Sequence, residues 1–238
     1  NNSLSISYNE TYNLVDKDKV PNYPGHLNLF RTRILPNLNL YHGQSSIFGD
    51  GDNWYNAIYW NISSNYLNSN LIGYIADNDT TWQDTSINKN GISHSINLSS
   101  PHTLFGWLTM NTSLSLKEDW IFKYRDYSNT FYDDNYLIKE SFMRRLTGST
   151  SVSLSTKIYG ILPVNLANLS SIRHVITPSI GFTYKPDFTK EILGYMQPYM
   201  IMGLDGNYHD SFMGSAFGST SRNTYQQYNF TLKNLGNK

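Results

Sequence analysis

The groups in this chain that could do chemistry are six histidines, eighteen carboxylates and eighteen cationic side chains. Spacing decides whether they can meet. A metal site needs converging ligands, yet no His-Glu-x-x-His pattern occurs, and the nearest histidine pair, His94 and His102, reads as straddling a turn. Asp50-Gly51-Asp52 could offer carboxylate oxygens to calcium but lacks the later ligands of a complete loop, so it reads as a solvated turn. Neither a Gly-x-Ser-x-Gly elbow nor a phosphate-binding loop nor a dinucleotide fingerprint is present. With no cysteine there is no thiolate ligand or sulfur nucleophile. The expectation is a protein that is not an enzyme and needs no metal or cofactor.

Charge narrows the partners. Lys plus Arg and Asp plus Glu are both 18, a formal net charge of zero, which leaves no footprint for nucleic acid, whose binding is dominated by phosphate neutralisation. Aromatic residues make up 15% of the chain, 19 of them Tyr, beside only 15% charged residues. That balance departs from the roughly 25% charge of ordinary soluble domains and suits membrane barrels that seat amphipathic rings at both interfaces. No stretch approaches the ~18 consecutive apolar residues of a spanning helix. The start, Asn1 to Glu10, has neither the basic nor the apolar part of a signal peptide, so an exported protein beginning this way is expected to be processed or trimmed.

The elements that must position these side chains follow a period of two, the mark of strands with unlike faces. Trp54, Asn56, Ile58, Trp60, Ile62, Ser64 and Tyr66 alternate with a more polar set. Ile92, His94, Ile96 and Leu98 do the same, as do Leu104 through Leu116 at even positions, which predicts a hairpin around Ser100 and Pro101. Thr150, Val152 and Leu154 oppose an all-serine face, and Ile172 to Tyr184 repeats the theme. Weaker strands are expected at Leu4 to Thr11, His26 to Ile34, Leu38 to His42, Trp120 to Tyr124 and Arg222 to Lys233. Turn chemistry marks Asp16 to Asp18 with Pro21 and Pro24, Asn78 to Asp84, and Asp133-Asp134-Asn135. Residues 188–217 read as a long loop folded over a rim, with a short helix from Thr189 to Tyr195.

The most specific stretch runs from Ile172 to Phe188, an Arg-His-x-x-x-Pro strand followed by Tyr-x-Pro-Asp-Phe. It resembles the barrel of the LptD family, the lipopolysaccharide-assembly proteins of the outer membrane. Leu35-Pro36-Asn37-Leu38-Asn39-Leu40 before Trp54-Tyr55, and Asn90 to Leu114 before Asp119-Trp120, are similar to further family strands in the same order. The resemblance carries Arg173, His174, Pro178, Tyr184, Pro186, Asp187 and Phe188 as family-motif positions. Arg173 shares its face with Val175, Thr177, Ser179, Gly181 and Thr183, which points it into a wet lumen, because a lipid-facing Arg at mid-depth costs roughly 2–4 kcal/mol. Pro178 removes a ladder donor and so marks an edge, a bulge or a weakened seam, or simply a bend.

The fold expected is therefore all-β: an antiparallel transmembrane β-barrel, represented here by a partial barrel of about nine or ten strands excerpted from a larger one, with residues 1–238 as a single domain. The resemblance implies lipopolysaccharide and outer-membrane lipid as partners, an LptE-like lipoprotein plug, a periplasmic Lpt bridge and a cell outer membrane location. It departs from the family in showing no periplasmic jelly-roll domain and no cysteine for disulfide-controlled assembly. Two rival readings fit the same alternation: another barrel, porin or transporter, and a secreted β-sandwich adhesin or carbohydrate-binding module.

Overall fold

The structure, a computed structural model, describes residues 2–13, 27–76, 82–129, 136–166 and 169–237. Nearly all of its regular structure is strand: β1 (Asn2–Tyr12), β2 (Leu27–Ser46), β3 (Tyr59–Ala76), β4 (Trp82–Leu104), β5 (Leu108–Ile121), β6 (Tyr124–Asp126), β7 (Leu137–Lys139), β8 (Met143–Ser155), β9 (Ile158–Leu166), β10 (Leu169–Lys185), β11 (Met200–Met202), β12 (Tyr208–Asp210) and β13 (Tyr225–Asn237). Nine of them form one antiparallel sheet in the order β1-β2-β3-β4-β5-β8-β10-β13, with β9 also on β10. The pairs β6–β7 and β11–β12 are separate small hairpins.

Register turns this sheet into two surfaces. In its central part odd residues pair with odd: Asn39 with Asn65, Asn65 with Ser93, Ser93 with Asp119, Ser115 with Ser149, Ser151 with Thr183, and Thr183 with Gln227. Even residues form the opposite row, through Ile62, Ile96, Leu116, Val152, Phe182 and Tyr228. The even face is apolar and uncovered: Leu4 is 62% exposed, Ile180 54% and Phe230 74%. The odd face satisfies itself laterally. Ser115 Oγ donates to Asn97 Oδ1 (2.7 Å), Asn97 Nδ2 donates to Asn61 Oδ1 (2.9 Å), and Ser113 and Ser151 hydroxyls meet at 2.6 Å. Aromatic rings punctuate the apolar face, with His42 stacked on Trp60 and Trp120 edge-on to both His94 and Phe142.

The partial transmembrane β-barrel expected here is seen as an open antiparallel sheet, since β1 and β13 end the strand order and no pairing joins them among the described residues. Its nine strands agree with a partial barrel's count. The hairpin at Ser100 and Pro101 does not form: Pro101 pairs with Asn111 inside β4. β3 begins at the level of Ser99, so beyond it β4 has a free side where a missing N–H is tolerated. The chain turns instead at Phe105 and Gly106, both with positive φ (53° and 74°), closed by Trp107 N–H donating to Leu104 O. Trp54 starts a 3₁₀ turn, Trp54–Ala57, rather than a strand, because buried Asn56 donates to Phe48 O and Gly49 O and accepts from Asn53 N.

The two strands expected at His26 to Ile34 and Leu38 to His42 are the single β2, which absorbs Pro36 at a register shift between Ile34 and Asn37. Trp120 belongs to the end of β5, which Ile121 closes, and Tyr124 opens β6; Ile158 opens the unexpected β9, and the last strand starts at Tyr225 rather than Arg222. His26, the expected start of a strand, and the expected turns at Asp16 to Asp18 with Pro21 and Pro24, residues 78–81 and Asp133-Asp134-Asn135 lie outside the described residues, while Asp84 belongs to β4.

The Phe105-Gly106 turn generates a prediction. A left-handed conformation costs a non-glycine residue roughly 1–2 kcal/mol, so Phe105→Asn raises the urea midpoint, followed by tryptophan emission, and Gly106→Val lowers it. Equal midpoints for the two variants would contradict the turn geometry.

Candidate functional site

The polar face is capped at one rim by residues 186–224, which connect β10 to β13. Local chemistry builds this cap. Asp187 Oδ1 accepts from both the amide and the hydroxyl of Thr189, so the segment expected to be a helix starts as a side-chain-closed turn. It then doubles back at Leu193 and Gly194, both with positive φ, with Ile192 and Tyr195 exchanging two backbone hydrogen bonds. These two devices consume the residues a helix from Thr189 to Tyr195 would have used. Further on, Asp210 accepts from the amides of Phe212 (2.9 Å) and Thr220 (2.6 Å), tying the β11–β12 hairpin to the returning chain. Hydrogen bonds from His209, first, and Asn207 hold the Asp205 carboxyl down at about 2.

The cap docks by burial and by charge. Tyr199, Met200 and Phe212 pack on Ile121 and Met143, which project from the odd row of β5 and β8. Tyr199 is fully buried, its hydroxyl donates to Phe188 O (2.8 Å), and burial pushes its phenol up to about 12. Beside this cluster lies Arg145, only 4% exposed, against Asp119, 1% exposed. Arg145 donates Nη2 and Nε to Asp119 Oδ2 (2.8 and 3.2 Å), and its guanidinium also donates to Phe217 O, Gly218 O and Thr220 Oγ1. Asp119 Oδ1 accepts from Ser93 Oγ (2.7 Å) and lies 3.3 Å from Lys117 Nζ. The Arg145 plane covers the Phe212 ring at 4.3 Å. One sheet-borne ion pair thus carries three acceptors of the cap. Gly91 is required below it, because a Cβ there would fall 2.5 Å from the Phe217 ring and 2.6 Å from Trp120 O.

The cap also serves an edge. β10 pairs β8 only from Thr150 to Ser155, leaving the first half of β8 without a strand on that side among the described residues. Gln197 takes the place of a strand there, accepting from Leu146 N (3.0 Å) and donating to Leu146 O (2.6 Å).

The family-motif residues separate into three groups. Tyr184, Pro186, Asp187 and Phe188 come together where β10 enters the cap, Phe188 lining a cleft of about 300 Å³ with Leu146, Ile192 and Tyr195. Arg173 and His174 lie near the other end of β10 on opposite faces, Arg173 over the Tyr159 ring at 5.1 Å and His174 paired with Gly160 and Gly236. Pro178 sits between, opposite the interruption from β8 to β9. Thr156 N–H donates to Pro178 O (3.2 Å). Because N and O of a strand residue point the same way, the absent Pro178 donor faces that interruption. His94 and His102 both belong to β4, eight positions apart, bonded to Ser64 and Ser100 respectively. Among the described residues no three His, Asp or Glu converge as a metal set. Sequence reasoning did not find Asp119, Arg145 or the anchors Tyr199 and Phe212. The available signal was charge at odd positions in rows otherwise filled by Ser and Asn.

A one-layer antiparallel sheet with a bare apolar face and a self-bonded, capped polar face defines a β protein built to stand between two solvents. The chain belongs to the LptD protein family, whose model matches residues 3–236. Membership places it in the Gram-negative outer membrane as a non-enzymatic protein of lipopolysaccharide assembly, and the family associates generally with lipopolysaccharide and LptE. No curated protein and no solved structure matches the chain significantly. Family membership removes the porin and transporter reading, and the β-sandwich alternative fails because no second sheet covers the apolar face among the described residues.

Removing one partner of a buried pair costs about 3–5 kcal/mol, so Arg145→Met should expose residues 190–222 to protease in the full-length protein while leaving the sheet folded; unchanged protection would refute the anchoring role. Because the folded Tyr199 pKa lies above its unfolded value, its contribution is complete below pH 10 and is lost as pH rises toward 12. Cap protection should therefore fall over that window in the native protein and should lose this pH dependence in Tyr199→Phe.

Proposed function

We propose that residues 1–238 form one wall of an outer-membrane β-barrel translocon that inserts lipopolysaccharide into the outer leaflet. The even face meets lipid and the odd face lines the lumen. The observation that carries this reading is the constant phase of the alternation across the paired strands, apolar on one row and Ser or Asn on the other. Interstrand bonds satisfy the backbone in hydrocarbon, and the hydroxyl and amide row keeps a path wet for a sugar headgroup.

Rim asymmetry supports one orientation. The longest connections, 122–142 and 186–224, share one rim, while the three-residue turn after Leu104 and the shorter connection 47–58 lie at the other. In outer-membrane barrels long loops face outward and short turns face the periplasm, so the cap sits on the cell-surface side and Arg173 and His174 lie toward the periplasm. Arg173, on the odd row, reaches the lumen there, in reach of substrate arriving from a periplasmic Lpt bridge. The free edges of β1 and β13 pair with further strands of a larger barrel, and an LptE-like lipoprotein occupies the lumen beside the polar row. Pro178, facing an interrupted neighbour strand, weakens the β8–β10 seam locally.

Photo-crosslinking residues placed in the full-length protein test this directly. Positions Ser95, Asn97 and Ser115 should capture lipopolysaccharide, and Ile96 and Leu116 should capture membrane phospholipid. Capture of lipopolysaccharide from both rows alike, or from neither, would overturn the reading. In the same protein Leu114→Arg should lower folding stability by about 2–4 kcal/mol, the cost of a mid-depth cation in lipid, and Ser115→Arg should be tolerated.

A further inference from the structure

Beyond the end of β5, β4 continues alone: its pairing to β5 begins at Gly91, so on that side Trp82 to Asn90 have no strand partner among the described residues. A cavity of about 360 Å³ fills the space between this free edge, the β6–β7 hairpin and the cap. Its lining holds three cations, Lys89, Lys123 and Arg125, and no carboxylate. Glu140, highly exposed, lies 3.0 Å from Lys123 Nζ and offsets one of them. Among the described residues no ion pair engages Lys89 or Arg125. The Arg125 guanidinium is held in place by the Tyr136 ring, 4.1 Å away, and by the close approach of Gly214, where a Cβ would fall 2.7 Å from Nη2.

A second, independent feature points to a ligand. Ser211 lines the same cavity, is completely buried, and its Oγ has no hydrogen-bond partner among the described residues. A buried hydroxyl without a partner costs free energy, and here it shares a lining with two cations that no ion pair engages among those residues. Lys, Arg and hydroxyl donors around a small volume match the oxygens of a tetrahedral anion.

We propose that this cavity binds a phosphoryl group, with Lys89, Lys123 and Arg125 supplying charge and Ser211 supplying a hydroxyl donor. The inference rests on the reading of the polar face as a lipopolysaccharide path, and there the phosphoryl group belongs to the saccharide headgroup. The cavity lies on the cap side of the sheet, so the contact is made late in transit, near the long-loop rim.

The experiment uses the full-length protein in detergent, titrated with intact lipopolysaccharide, with the same material enzymatically dephosphorylated, and with inorganic phosphate. The wild type should bind the dephosphorylated form about tenfold more weakly, the loss expected for a charge-assisted contact. Lys89→Met/Arg125→Met should lose that discrimination, while Lys157→Met at the opposite rim keeps it. A double variant that still discriminates overturns the proposal, and so does a wild type that does not. If the double variant also loses protease protection of the cap, Ser211→Ala decides: reduced discrimination supports the site and unchanged discrimination overturns it. Should the wild type bind neither lipopolysaccharide form, the translocon reading fails separately, and the inorganic phosphate arm then judges the cavity alone. Phosphate binding lost in the variant upholds it, and absence of phosphate binding rejects it.

Discussion

The constraint on which everything else depends is that one strand must satisfy its backbone sideways while offering unlike solvents to its two faces. Antiparallel pairing without a register slip does both at once, since a slip of a single residue would exchange every side chain between faces. Where slips do occur, in β2 opposite Gly73, at Pro36 and after His42, and at the start of β10, they fall outside the pairings that join β3, β4, β5, β8 and β10, which run without one. The lateral bonds from Ser115 to Asn97 to Asn61 then keep the polar row from demanding partners across the face.

The cap obeys a different economy. A charge pair as enclosed as Asp119 and Arg145 is weak evidence for stability by itself, because desolvation opposes the Coulomb attraction. Its function is better judged by what else it holds: Arg145 gathers acceptors at Phe217, Gly218 and Thr220, and Asp119 accepts from Ser93. The pair makes the position of the cap contingent on two sheet residues that stand directly opposite each other across β5 and β8. Displacing the cap would leave the ion pair whole within the sheet but take three acceptors from Arg145 and open both charges to water, so its seated and unseated states differ in how the pair is solvated.

Much of the sheet was legible because burial in lipid needs only the parity of apolar residues, and parity is local. Ile92, Ile96 and Leu98, or Val152 and Leu154, state their face without reference to anything distant. Pro101 misled because proline was read as a terminator, whereas its missing donor falls beyond the start of β3. Asn56 misled in the opposite sense: its place in an alternating run hid a side chain that folds back on Phe48 and Gly49. The family-motif residues Asp187 and Phe188 lie where β10 enters the cap, a place that their spacing alone does not state. Asp119, Arg145, Lys89 and Arg125 stayed hidden because their meaning comes from strands and loops far apart in the chain, which no local period reports.

The chain has no native cysteine, so single cysteines placed along it give a clean report of which solvent each residue meets. The most direct measurement is reaction of such variants of the membrane-assembled protein with a polar, membrane-impermeant maleimide, taken through β4, β5, β8 and β10. The account predicts labelling at odd positions and silence at even ones, in one unbroken phase across all four strands. Equal labelling of both rows, or a phase that reverses between neighbouring strands, would contradict it.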